Sequence, residues 1–300
     1  MQCSSPVFLK DVGLEVPCGR CINCRISRSR EWAVRLMCEM KYHENALFTT
    51  FTYDEEHCPT DYGLHKKELQ LFNKRLRFHL DKQGRKIKFF ACGEYGEQYG
   101  RPHYHGIYFD IGFADKPLLE QCWDKGNIYL GLVEYDSCRY VTDYVLKKWS
   151  GKKADDEYQG REPPFQLFSR GLGKQYVLDN YERLKRTLSV RQQGVSKGLP
   201  RYFKNKLSDI ADEQAWSILM NGDGRDIDEI FESTHAYSLP LHDRARQQKV
   251  DEFKSWISQV EAGNFGGSFD EWHNLRNRQR LLTAEAKTNV YSRKIGKGDL

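Results

Sequence analysis

Apolar and polar positions along this chain follow two different periods, and the switches between them predict its elements. Over 25–42, Ile26, Trp32, Leu36 and Met40 recur near one stripe, which is helical spacing. Residues 46–53 alternate apolar side chains with threonines and predict a strand ending in a Tyr-Asp loop. Thr49 and Thr52 fall on different faces of it. Over 66–80, Leu69, Phe72, Leu76 and Leu80 return to the helical period. Ile87–Cys92 reads as a strand, and a turn rich in Gly and Tyr leads to a second strand opening at Pro102, where no ladder donor is needed. A helix at 118–123, a strand at 127–134 and a helix at 138–149 follow. The order β-α-β-β-α-β predicts an α+β fold, a central antiparallel sheet with helices on one side.

The rest of the chain is patterned less sharply. Residues 150–164 are polar and predict a loop. Ser169–Lys174 has a Gly-x-Gly-Lys look, but Phe168 replaces the first glycine of a P-loop and Gln175 its Ser or Thr. No nucleotide-triphosphatase is recognisable, so a separate helicase would be required. Residues 191–206 are basic, and 209–232 turn acidic, which marks a boundary. Residues 244–260 predict a helix with Val250, Phe253, Trp256, Ile257 and Val260 on one side. Ser268-x-x-Glu271 reads as a capping box opening another, so the tail is expected to be a helical hairpin. The expected division is a Cys-rich segment and first helix (1–42), a catalytic domain (43–206) and a helical C-terminal appendage (207–300). No internal repeat is present.

Composition narrows the class. A chain of 300 residues, 39% hydrophobic and 30% charged, buries one sizeable core plus an appendage. No run approaches the about 20 apolar residues that span a bilayer. Met1–Pro6 lacks the layout of a secretory signal, so a cytoplasmic protein is expected. The net charge of +5 is compatible with nucleic acid without demanding it. Arg20, Arg25, Arg28 and Arg30 cluster near the start, and a second basic stretch from Lys66 to Lys88 interleaves with Phe72, Phe78, Phe89 and Phe90. Cations for phosphates beside rings for unstacked bases suit single-stranded DNA; helix-face charges beside core phenylalanines are the alternative.

Candidate chemistry concentrates in two places. His103 and His105 are two apart on a strand, so both imidazoles leave the same face, and a hairpin would return Glu94 alongside them. Two imidazoles and a carboxylate with open coordination positions suit Mg²⁺ or Mn²⁺ activating a phosphate. A lone H-x-H is also a common accident. In the helix that follows, Tyr140 and Tyr144 are four apart and stack on one face, with Lys147 and Lys148 one turn on. An ordinary amphipathic helix with two surface tyrosines would look the same.

The nine cysteines, in a chain with no signal segment, predict reduced thiols. Cys18, Cys21 and Cys24 form two overlapping C-x₂-C steps, with Gly19 allowing a tight knuckle. A structural Zn²⁺ with Cys3 or a distant residue as fourth ligand leads; an iron–sulfur centre and unligated thiols stay open. Cys38, Cys92 and Cys138 fall on apolar faces and are expected in the core.

Three stretches together carry a resemblance: Thr49-Thr50-Phe51-Thr52-Tyr53-Asp54, Arg101-Pro102-His103-Tyr104-His105-Gly106, and Tyr140-x-x-x-Tyr144-x-x-Lys147. In order and spacing they resemble the first strand motif, metal motif and nucleophile motif of HUH endonucleases, in particular the two-tyrosine replication initiators of the gokushovirus branch of the Microviridae. The similarity covers roughly residues 15–206. It implies an HUH, RRM-like sheet and a nickase and ligase that joins a tyrosine to the 5′ phosphate of a cut origin strand. Tyr140, Tyr144 and Lys147 would be catalytic, Glu94, His103 and His105 would hold the cation, and Arg101, Lys148, Arg201, Tyr202 and Lys204 would contact DNA. The implied partners are single-stranded origin DNA and host replication proteins including a helicase, in a bacterial cytoplasm if the source is viral. Asp143 departs from the pattern, standing where such sequences often carry a second lysine. A plasmid or transposon nuclease of the same chemistry, and a non-catalytic zinc-dependent nucleic-acid-binding protein, are the alternatives.

Overall fold

The computed structural model describes residues 3–9, 14–96, 99–147, 156, 158–221, 225–234 and most of 252–282; the side chains of 9, 14–15, 144–147 and 228 lie outside that description. The chain divides into two compact units, residues 25–176 and residues 1–24 with 177–300. The expected boundary at 206/207 falls inside the helix Arg201–Met220. Its buried stripe of Phe203, Leu207, Ala211 and Ala215 continues through that point, and only the outward positions turn acidic.

Helix α1 spans Ile22–Glu39, starting ahead of the expected position, so Cys24 lies in its first turn. It follows a small hairpin of β1 (Val7–Leu9) and β2 (Leu14–Val16). The sheet unit then builds β3 (Ala46–Thr52), α2 (Lys66–Asp81), β4 (Lys88–Tyr95), β5 (Pro102–Phe109), α3 (Lys116–Trp123), β6 (Ile128–Leu132), α4 (Tyr135–Lys147) and β7 (Phe165–Phe168). These strands form one antiparallel sheet in the order β6-β3-β5-β4-β7. β7 was not legible in the sequence; four residues at a sheet edge carry too short an alternation.

The fold class is the expected α+β, with one correction: helices cover both faces of the sheet. Leu69, Phe72, Leu76 and Leu80 of α2 and Trp123 of α3 pack with Phe51, Phe89, Tyr104 and Tyr108 on one face. Trp32 and Leu36 of α1 and Cys138 and Val141 of α4 pack with Phe90, Cys92, Ile107 and Phe109 on the other. The signal was Phe89-Phe90 and Tyr108-Phe109. Adjacent residues point to opposite faces, so unbroken aromatic pairs require burial on both.

In the other unit, β8 (Ser189–Gln192) and β9 (Val195–Gly198) form a second hairpin. The helix Arg201–Met220 packs on Ile227–Thr234, with the Trp216 and Phe231 rings 5.8 Å apart. Residues 252–261 are helical, and Phe253 and Trp256 meet Phe269 at 5.3 and 5.8 Å. The expected capping box forms: Ser268 N donates to Glu271 Oε2 at 2.8 Å and Glu271 N to Ser268 Oγ at 3.3 Å. Residues 235–251, which hold much of the expected helix at 244–260, lie outside the described residues, as do most of 150–157. No helix among the described residues is long and apolar enough to cross a membrane.

Glu39 closes the end of α1. Its carboxylate, 1% exposed, accepts from Lys88 Nζ at 2.5 Å, His43 Nε2 at 2.9 Å and the Gly173 amide at 2.5 Å. Burial alone would raise its pKa, but these donors outweigh it and hold the group below its ordinary 4.5. A carboxyl lowered in the folded state contributes fully above the unfolded value and loses that contribution as pH falls through the folded one. Glu39→Gln is therefore expected to cost about 2 kcal/mol at neutral pH, by loss of charge-assisted bonds. Urea titrations at pH 7 and at pH 3 test this: the gap between variant and wild type should shrink at the lower pH.

Candidate active site

The site begins with a register. Glu94 of β4 pairs directly with His103 of β5, and Cys92 with His105. Directly opposed residues in an antiparallel ladder share a face, so the carboxylate and both imidazoles emerge together. The connecting turn holds this register: Gly96 N donates to Arg101 O at 3.0 Å, and Gly100 takes a positive φ of 62°. On the far side of β5, Thr50 of β3 pairs with His105.

Hydrogen bonds orient the rings. His103 Nδ1 lies 3.1 Å from Arg101 O, so it donates and leaves Nε2 to face Glu94 Oε1 at 2.7 Å. His105 Nδ1 lies 2.9 Å from Thr50 Oγ1, and its Nε2 is 3.1 Å from the same Oε1. The two rings stand at 88°, centroids 4.9 Å apart. Glu94 is 4% exposed. Burial pushes its pKa up, but the bonds to His103 and His105 overcome this and bring it down to about 2, so the buried group is an anion. One ligating atom from each of the three lies within 4.8 Å of the others. An ionised carboxylate and two Nε2 atoms, each ring braced at Nδ1, are a donor set that fits a divalent cation and leaves further coordination positions open.

Helix α4 crosses this face. The half-buried Tyr140 ring packs edge-on against His105 at 5.1 Å and 86°, and against Phe48 at 5.9 Å. Tyr144 and Lys147 continue the same helix, but their side chains lie outside the described residues, as does Lys148 altogether. Asp143, the departure from the expected lysine, is buried. It accepts a hydrogen bond from Ser29 of α1, and Arg139 donates to it at 2.9–3.0 Å. Thr142, also buried, meets Ser29 Oγ at 3.1 Å. The acid thus fastens the tyrosine helix to α1.

Other expected contacts are placed differently. The basic stretch from Lys66 to Lys88 lies largely on α2, which covers the sheet face opposite the ligand set; Phe72, Phe89 and Phe90 are core, and only Phe78 is exposed. The face of α2 was set by core packing, not by its charges. The Arg101 guanidinium binds Glu55 at 2.6 Å and the carbonyls of Tyr53 and Asp54. Arg201 and Lys204 are exposed and Tyr202 half-buried, on the first turn of the helix Arg201–Met220 in the other unit.

Two residues on the site face were not singled out from the sequence. Thr50 braces His105; in the run Thr49-Thr50-Phe51-Thr52, strand parity puts only the even positions on the ligand face. Tyr129 of the edge strand β6 pairs with Thr50, so it shares that face, and it is 63% exposed. A pattern search finds it only once the register of β6 is known.

In the other unit, the sulfurs of Cys3, Cys18, Cys21 and Cys24 all lie within 4.8 Å of one another. Burial pushes the Cys21 thiol up, but bonds involving Ser4 and Cys24 outweigh this and bring it down to about 6. Burial and the neighbouring Cys21 push Cys24 up. Cys38, Cys92 and Cys138 are buried, as their apolar faces predicted.

With this geometry in hand, the chain can be compared with known proteins. Residues 46–149 match the family model for the ORF2-type replication-associated proteins. The chain is 30% identical over 224 residues to Replication-associated protein ORF2 of Spiroplasma virus 4, covering 67% of this chain and 68% of that protein. It is 30% identical over 213 residues to Replication-associated protein VP4 of Bdellovibrio phage phiMH2K, covering 63% and 66%. It is 29% identical over 229 residues to Replication-associated protein ORF4 of Chlamydia phage 1, covering 69% and 57%. The match thus spans from just over half to about two thirds of these relatives' length. No solved structure matches the chain significantly.

The brace on His105 has a measurable consequence. Thr50→Val keeps the size of the side chain and removes the hydrogen bond, and is expected to weaken Mn²⁺ binding about tenfold. Titration of free Mn²⁺ by electron paramagnetic resonance checks this; unchanged affinity would show that the threonine does not orient the ligand.

Proposed function

Because this chain belongs to the Microviridae-type, gokushovirus-like replication-associated proteins, we propose that it initiates rolling-circle replication by nicking and rejoining one DNA strand at an origin. The observation that carries this reading is the edge-on contact of the Tyr140 ring with His105, which sets a nucleophile-bearing residue against the Glu94, His103 and His105 set. In the proposed step a tyrosine oxygen attacks the phosphorus and the bond to the 3′ oxygen breaks. The phenol's proton is given up and a proton is taken up by the departing 3′ oxygen. The products are a 5′-phosphotyrosyl link and a free 3′-hydroxyl. The phosphoester energy is kept in that link, so resealing by the reverse attack needs no nucleotide triphosphate.

Each part of the site has a task in this reading. A divalent cation held by Glu94, His103 and His105 would polarise the non-bridging phosphate oxygens and offset the charge that develops there. A free phenol has a pKa near ~10 and is a weak nucleophile at neutral pH. Lys147 is assigned to stabilising phenolate or phosphate charge. Tyr140 and Tyr144 are assigned to alternate, one keeping the 5′ end of the displaced strand while the other cuts the newly made origin. Tyr129, exposed on the same face, offers a ring on which an unstacked base can lie, and Arg201, Tyr202 and Lys204 are further proposed contacts.

The partners proposed are single-stranded origin DNA and a separate host helicase, in a bacterial cytoplasm. The Gly-x-Gly-Lys turn supports the need for that helicase, since the Gly173 amide that a phosphate would require is taken by Glu39.

Incubating the protein with Mn²⁺ and labelled origin oligonucleotide should give an adduct that survives denaturant. Tyr140→Phe combined with Tyr144→Phe should abolish it, and His103→Ala should lower it at least about 100-fold. An adduct formed at the wild-type level by the double variant would refute the nucleophile assignment. Tyr129→Ala should weaken single-stranded DNA binding about tenfold, the equivalent of one lost stacking contact, with Mn²⁺ affinity unchanged. Fluorescence anisotropy reads the first quantity and Mn²⁺ titration the second.

A further inference from the structure

We propose that Cys3, Cys18, Cys21 and Cys24 bind one zinc ion as a closed four-thiolate site that fastens the β1–β2 hairpin to the first turn of α1. The inference rests on the positions of the sulfurs and is independent of the nicking chemistry. Zn–S bonds of about 2.3 Å arranged tetrahedrally put the sulfurs roughly 3.8 Å apart. Cys3 Sγ and Cys21 Sγ are separated by 3.8 Å, and all four sulfurs lie within 4.8 Å of one another. That spacing encloses a single ion. An iron–sulfur cube would need its four cysteines spread around several metals and sulfides, so the cluster alternative left open by the sequence does not fit.

Backbone geometry supports the same conclusion. Cys18 Sγ accepts from the amides of Arg20 at 3.4 Å and Cys21 at 3.3 Å, and Cys3 Sγ accepts from the amide of Cys18 at 3.2 Å. Amides aimed at sulfur stabilise thiolate charge, the usual surroundings of a ligating cysteine. The turn that aims them passes through Gly19 at φ 71°, a conformation that a side chain would strain. Four thiolates fill a tetrahedron and leave no position for substrate, so the site is structural. Among single ions that accept four thiolates, zinc binds more tightly than ferrous iron.

The hairpin needs such a fastening. Its strands are three residues each, and Val7 and Phe8 are 49% and 58% exposed. A two-stranded ribbon of that size is not stable alone in water, and small elements without a core are commonly held by a metal. Cys3 precedes β1, Cys18 follows β2, and Cys21 and Cys24 flank and enter the start of α1, so one ion ties together every part of the segment.

The test uses the purified full-length chain. Elemental analysis should find one zinc per chain after desalting, released in step with titration of four thiols by a mercurial reagent. Exchange with Co²⁺ should give the absorption of a tetrahedral cobalt thiolate. His103→Ala with His105→Ala should leave that zinc in place, which separates this site from the catalytic one. Cys3→Ser and Cys24→Ser should each weaken zinc retention at least about tenfold. Absence of both zinc and a cobalt–thiolate spectrum in the unaltered chain would overturn the proposal. So would an iron–sulfur chromophore, retention of zinc at wild-type strength by either serine variant, or loss of that zinc in the histidine variant. The measurements on the unaltered chain decide the matter even if a serine variant fails to fold.

Discussion

The pairing of Glu94 with His103 across β4 and β5 is the constraint on which the site depends. A shift of one residue in that ladder would send both imidazoles through the sheet to the α2 face and leave a buried carboxylate with no partner. The register is held from several directions. The Gly96–Arg101 turn closes one end, β3 and β7 pair on the outer edges, and apolar side chains fill both faces. Burying three polar groups costs several kcal/mol when they are unpaired. Here each imidazole has one nitrogen on a backbone or hydroxyl oxygen and the other toward the carboxylate, so that cost is largely offset.

Much of this was legible in the sequence, for identifiable reasons. The i, i+2 spacing of His103 and His105 carries a face assignment by itself, and the Gly-rich turn of the right length carries the hairpin. The helices α2 and α4 announced themselves by Leu69, Phe72, Leu76 and Leu80 and by Val141 beside Tyr140. The second helical layer did not, because Phe89-Phe90 and Tyr108-Phe109 were read as strand without asking where each ring would go. The basic residues of α2 misled for a related reason. Charge along a helix marks its solvent face and says nothing about which side of a sheet the helix will cover. Tyr129 and β7 needed register, which a single strand does not encode. The boundary expected after residue 206 followed charge, whereas the helix Arg201–Met220 followed its apolar stripe.

The two candidate metal centres differ in a way that matches different tasks. Glu94, His103 and His105 supply three donors of mixed nitrogen and oxygen character on a rigid sheet, beside an aromatic residue of a crossing helix. The four cysteines are all sulfur, drawn from a turn, a hairpin and a helix start, and they close around a single point. Open coordination belongs with chemistry, closed coordination with holding a segment that lacks its own core.

Asp143 has an effect on motion at the site. Ser29 on α1 and Arg139 on its own helix grip that carboxylate from two directions, and Thr142 adds a third tie beside it. A helix pinned along this flank cannot roll about its axis to swap one phenol for the other. Under the proposed cycle the protein is therefore the anvil, and the severed ends of the strand make the journey between stations.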